Sequence, residues 1–235
     1  MYLIIIIIFL FFLLILKIGL NIKIKDVKRL KQLSQDNTLN KITNVFPKNK
    51  EICEEILKKL NNKDVEIEEL GEDSKSQTSL YLVMQNKIII ANIKDNFARI
   101  QTIAHECIHS IQNKKILKFN FIFSNISNLY FLVICILALF NLFNEQVLYC
   151  LLISLILVQS ISFMVRSHLE TDAMTRAEYI AKDYIKEKNI LKKEDEEKIV
   201  NTYKEINDTG IKLYNYILIS KKVLGVIVFL VLVII

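Results

Sequence analysis

The sequence predicts a mostly α-helical membrane protein with a small β-hairpin or sheet and about four transmembrane helices. Three observations carry this reading. Of 235 residues, 52% are hydrophobic, and they bunch into runs too long for a soluble core. The polar stretches between the runs show helical periodicity, with one short alternating region. Finally, Ala104-His105-Glu106-Cys107-Ile108-His109-Ser110 sets two of only three histidines four positions apart on a predicted helix.

Taken in order, the chain divides into five segments. Residues 1–20 form an N-terminal transmembrane anchor: Met1 to Leu16 is unbroken apolar sequence, extended by Ile18 to Leu20, just long enough to cross about 30 Å of hydrocarbon. Its basic residues follow the run, and no small-residue cleavage site is present, so the anchor is expected to stay uncleaved with its amino end outside. Residues 21–118 form a cytoplasmic αβ region. Within it, residues 22–47 read as a juxtamembrane helix and a linker ending near Pro47. Ile52, Cys53, Ile56, Leu57 and Leu60 mark a helix from Lys48 to Leu60. Asp64 to Leu70 alternates like a half-exposed strand, and Gly71 to Ser79 reads as loop. Leu80–Met84 and Lys87–Asn92 flank Gln85-Asn86 as a hairpin. The motif helix is expected from Asn96 to Asn113, capped by Asn92 or Asp95.

Residues 119–165 form a two-span hairpin, Phe121–Leu142 and Val147–Val165, joined by the turn Phe143 to Gln146. Residues 166–212 form a cytoplasmic helical region in which Asp208-Thr209-Gly210 is expected to break the helix. Residues 213–235 form a C-terminal transmembrane segment interrupted by Lys221-Lys222, which either snorkel or mark a tail that only dips into the bilayer. The hairpin turn has no Lys or Arg, whereas both long polar segments are rich in them, which places those segments in the cytoplasm of a multi-pass cell-membrane protein.

The net charge of +6 does not point to nucleic acid. The lysines spread through every polar segment without aromatic interleaving, so they serve as topology signals. The four cysteines stand far apart without a C-x-x-C pair and read as reduced packing residues.

Chemistry centres on the H-E-x-x-H segment. Residues four apart share a helix face, so His105 and His109 can ligate one ion while Glu106 sits one step round, within reach of a water on that ion. This is the layout of a zincin-like active-site helix: the ion acidifies water and polarises a carbonyl, and the glutamate moves the proton. Phe97, Ile100, Ala104, Ile108 and Ile111 recur as a buried stripe on the same helix. An exposed strand edge beside such a helix can hold an extended peptide, and Ile88 to Asn92 is the candidate.

A third ligand is expected just after the hairpin, where His168, Glu170 and Asp172 lie within five residues. Glu170 shares its face with the small residues Ala173 and Ala177, which favours it as the ligand. Asp172 is then the carboxylate that orients a ligand histidine. His168 stands as a ligand, a transition-state hydrogen-bond donor or an interfacial histidine. Arg176 either stabilises a developing oxyanion or pairs with Glu178 or lipid phosphate.

The order of features resembles the membrane-bound neutral zinc metallopeptidases, the YugP-like family. The resemblance rests on an N-terminal anchor, a short αβ region, Ala104-His105-Glu106-Cys107-Ile108-His109-Ser110-Ile111-Gln112, a two-span hairpin, and Glu170-Thr171-Asp172-Ala173-Met174-Thr175-Arg176-Ala177. It covers nearly the whole chain. Ile108 departs from the family's small residue before the second histidine. The resemblance implies a zinc-dependent peptidase with one Zn2+, His105, His109 and Glu170 as ligands, Glu106 as base, and a peptide or membrane-protein substrate. Two other readings stand beside it. An intramembrane protease fits poorly, because the motif lies among Lys94, Asp95, Arg99 and Lys114. A non-catalytic zinc-binding transporter or scaffold would not need Glu106.

Overall fold

The computed structural model describes residues 1–34, 36–71, 74, 78–93, 96–140 and 142–234. Among these the chain is mostly helical: α1 (Tyr2–Gly19), α2 (Ile24–Ser34), α3 (Asn37–Thr43), α4 (Asn49–Lys59), β1 (Glu66–Glu69), β2 (Leu80–Leu82), β3 (Lys87–Ile90), α5 (Arg99–Ile111), α6 (Lys114–Leu139), α7 (Glu145–Lys188) and α8 (Lys193–Ile234). The five consecutive segments regroup into two compact units. One gathers residues 1–22, 119–168 and 212–235, and the other residues 23–118 and 169–211.

The first unit collects the apolar runs. Helices α1, α6, α7 and α8 are each long and apolar enough to cross a membrane. Ile134, Cys135, Ala138, Leu152, Leu155, Val226, Phe229 and Leu230 pack at its centre, while residues such as Leu129, Leu132 and Leu157 stay exposed. That distribution suits a hydrocarbon solvent, which needs no polar outer face. Polar side chains cross-link α7 and α8 at one end, where Arg166 Nε donates to Tyr214 Oη at 3.1 Å and Ser167 Oγ bonds Asn215 Oδ1. Helix α7 starts at Glu145, two residues before the expected Val147, because Asn144 Oδ1 accepts from Val147 N (3.0 Å).

The second unit has its own core, built from the expected stripes. Ile52, Cys53 and Ile56 of α4 meet Ile100, Ile103, Ala104 and Cys107 of α5, with Ile88 and Ile90 of β3 and Ala177 and Ala181 of α7 closing the cluster. Cys53 Sγ and Cys107 Sγ lie 3.6 Å apart inside it, both as free thiols. The sheet order is β1-β3-β2, with β1 parallel and β2 antiparallel to β3. The hairpin loop is four residues, Val83 to Asn86, rather than two. Asn86 takes a left-handed conformation (φ 52°), and its side chain accepts from Tyr81 Oη and donates to the Asp64 carbonyl.

Several expectations are corrected. The stretch beyond α2 is helix α3 rather than linker. Asp36 caps it by accepting from Thr38 N and Leu39 N at 2.8 and 3.3 Å. Helix α5 starts at Arg99, three residues late, because Asn96 Oδ1 accepts from Ala98 N and holds a turn there. Its N-cap is Ala98, without a side-chain cap; Asn92 stands too far upstream for that role, and Asp95 lies outside the described residues.

Helix α8 also runs unbroken through Asp208-Thr209-Gly210, and through Lys221-Lys222. A helical glycine costs about 1 kcal/mol relative to alanine, but here it makes room for a neighbour: a Cβ on Gly210 would come within 3.1 Å of Met174 Cε. One turn earlier, Asn207 Nδ2 donates to Glu178 Oε2 at 2.8 Å and ties α8 to α7.

Arg99 anchors the start of α5. It is 2% exposed, and its guanidinium donates to the carbonyls of Thr43, Phe46 and Pro47 and to Asn49 Oδ1, all at 2.8–2.9 Å. A buried charge is tolerated when its two terminal nitrogens are met in this way. The same bonds meet the Phe46 and Pro47 carbonyls in the corner between α3 and α4.

Candidate metal centre

His105 and His109 project from one face of α5 as their spacing requires, with Nε2 atoms 3.1 Å apart. Glu170 of α7 comes up against both. Its Oε2 lies 3.4 Å from His105 Nε2 and 3.7 Å from His109 Nε2. The helices approach closely because Ala173, Ala177 and Ala181, on the Glu170 side of α7, are fully buried and carry only a methyl group. Ligands about 2.1 Å from an ion in tetrahedral coordination stand ~3.4 Å from one another. The three donor atoms therefore fit a single ion, and this group could hold one.

The donors are prepared for that role. His109 Nδ1 donates to Gln112 Oε1 at 2.8 Å, which leaves Nε2 as the nitrogen facing the centre. Gln112 Nε2 in turn donates to Asp172 Oδ2 (2.7 Å) and to the Leu169 carbonyl (2.8 Å). Asp172 thus bears on the histidine through Gln112 and not by direct contact. Gln112 was the residue missed. Its signal was present, since it stands three positions after His109 and so shares its face.

Glu106 is 7% exposed. Burial pushes its carboxyl above the usual range and Glu170 adds to this, while His105, His109 and the main-chain N–H of Tyr81 draw it back. For His109, burial favours the neutral ring, but hydrogen bonding and charge from Glu170 outweigh it and raise the imidazole's pKa.

No protein-family model, curated protein or solved structure matches the chain. What the centre can do therefore rests on its own residues.

The other predicted residues fall outside the ligand group. His168 is exposed and, two positions from Glu170, points to another side of α7. Arg176 Nη1 lies 3.6 Å from Asp172 Oδ2 in an i,i+4 pair, and Glu178 is engaged by Asn207 instead. The proposed peptide-holding strand changes too. Ile88 to Asn92 overlaps β3, the central strand, whose main-chain groups pair on both sides. Among the described residues, the outer strand beside the motif helix is β2, which packs against α5 and whose Tyr81 main-chain N–H reaches Glu106. Alternation alone could not rank the strands, because β1 pairs with β3 across the intervening β2.

Proposed function

We propose that the protein is a membrane-bound zinc metallopeptidase that hydrolyses peptide bonds at the cytoplasmic membrane surface, as the YugP-like resemblance implies. The observation that carries this is the convergence of His105, His109 and Glu170 on one point, with the buried acid Glu106 on the next position of the same helix. A non-catalytic metal site would need the three ligands but no such acid.

A bound zinc ion would supply a Lewis acid that polarises the peptide carbonyl and makes water acidic near neutral pH. Glu106 takes a proton from the attacking water and returns it to the departing amine. Its burial makes it a stronger base than an exposed carboxylate, which suits this double duty. Gln112 and Asp172 fix the imidazole of His109. At the outer edge of β2 the main-chain N–H of Tyr81 is directed at Glu106 and holds its carboxylate beside the centre.

The test compares membrane-protein fragments from cells carrying wild type and Glu106→Gln, together with metal content. Glu106→Gln should keep its zinc and lose hydrolysis by at least about 100-fold, whereas His105→Ala loses both. Wild-type activity in Glu106→Gln would rule out the general-base role.

A further inference from the structure

The β2–β3 hairpin carries an exposed apolar tip. Met84 stands 58% exposed in the four-residue loop, whereas Tyr81 packs against the core. Asn86 holds the loop in place. It takes the left-handed conformation, its Oδ1 accepts from Tyr81 Oη at 2.8 Å and from Lys114 Nζ at 3.0 Å, and its Nδ2 donates to the Asp64 carbonyl. Lys114 is the first residue of α6, a helix of membrane length. The tip of the sheet is thereby fastened to the place where a candidate span begins.

The first turns of α6 set the depth of that place. Lys118 is the last charged residue before Glu145, so the hydrocarbon layer begins just beyond it. Lys114 precedes Lys118 by one turn, roughly 6 Å along the helix. The polar layer on each face of a bilayer is about 5–8 Å deep, half the difference between its total and hydrocarbon thickness. Lys114, and with it the hairpin tip, falls at that depth. Exposed Ile116 and Phe119 are interspersed there with exposed Lys114, Lys115 and Lys118, a mixture of apolar and basic groups that suits the head-group boundary. None of these three lysines has a carboxylate partner among the described residues.

We propose that the hairpin tip is a lipid-contact element: Met84 enters the head-group layer of the bilayer that α6 spans, and Lys114, Lys115 and Lys118 hold it there against anionic phospholipid. An unbranched, polarisable methionine adapts to so irregular a boundary. Each lysine close to an anionic surface favours the contact by about fivefold. A protein partner accounts for less, because the basic residues lead directly into a membrane-length helix. Lipid contact requires that α6 span a bilayer and is independent of the chemistry at the metal centre. It bears on that chemistry through Tyr81 of the same hairpin, whose main-chain N–H reaches Glu106, so a seated tip keeps the acid close to the lipid surface.

The experiment uses the full chain reconstituted in vesicles. The chain has no tryptophan, so Met84→Trp and Leu129→Trp each carry a single fluorescent reporter. Leu129 is exposed on α6, roughly 16 Å along the helix beyond Lys118, and reports the span itself. The vesicles are phosphatidylglycerol or phosphatidylcholine, brominated either near the ester end of the acyl chains or near their methyl end. Met84→Trp should lose most emission to bromines near the ester end, and Leu129→Trp to bromines near the methyl end. The Met84→Trp loss should be greater in phosphatidylglycerol than in phosphatidylcholine. Adding Lys115→Gln and Lys118→Gln, which spare the Asn86 tether, should reduce that difference. An unchanged melting temperature reports intact folding of each variant. A Met84→Trp reporter that no bromolipid quenches while Leu129→Trp responds would overturn the lipid contact. So would equal quenching in the two lipids, or a difference undiminished by the lysine substitutions. Absence of quenching in Leu129→Trp would overturn the span, and the proposal with it.

Discussion

His109 Nδ1 donates to Gln112 Oε1 at 2.8 Å, a contact that the motif helix makes with its own C-cap residue. The amide's other end bonds Asp172 and the Leu169 carbonyl, so Gln112 sets both the tautomer of His109 and the level at which α7 meets α5.

Gln112→Leu should therefore weaken metal binding about 10- to 100-fold, the usual cost of losing a group that orients a ligand. Competition titration of the purified protein with a zinc chelator measures it. Unchanged affinity would mean that ring orientation is set elsewhere.

Metal binding should also weaken in acid. The metal-free centre raises the pKa of His109, chiefly through Glu170 acting against burial, and an ion at Nε2 must displace that proton. Below the raised pKa, affinity should fall about tenfold per pH unit for the one proton released. In the metal-free protein the sign reverses. The protonated His109–Glu170 contact contributes its full stability below the ordinary histidine pKa and loses it as pH rises through the raised value. Chelator titrations and melting curves between about pH 5 and pH 8 report the two opposite slopes.

Arg99 gives a prediction about folding rather than chemistry. Arg99→Leu strands acceptors on Thr43, Phe46, Pro47 and Asn49 in the core, which should cost at least about 3 kcal/mol. Chemical denaturation should show it, and Arg99→Lys should recover only part, since an ammonium cannot match the planar fork.

The parts of this architecture that repeat were the legible ones. Buried stripes at helical spacing marked α4 and α5, long apolar runs marked the four membrane-length helices, and the alanines beside Glu170 signalled a close approach. Contacts between distant segments were not legible. Nothing local says that β1 pairs with β3 across β2, and so the outer strand beside the motif helix was assigned to Ile88 instead of to Leu80–Leu82. Gly210 reads as a breaker until Met174 is seen against it. Arg99 reads as a surface charge until four acceptors from the α3–α4 corner surround it.

The most direct measurement is the metal content of purified variants by elemental analysis. Wild type, Glu106→Gln and His168→Ala should each carry about one zinc per chain, while His105→Ala, His109→Ala and Glu170→Gln should carry little. A Glu170→Gln protein that keeps one tightly held ion would contradict the three-ligand centre.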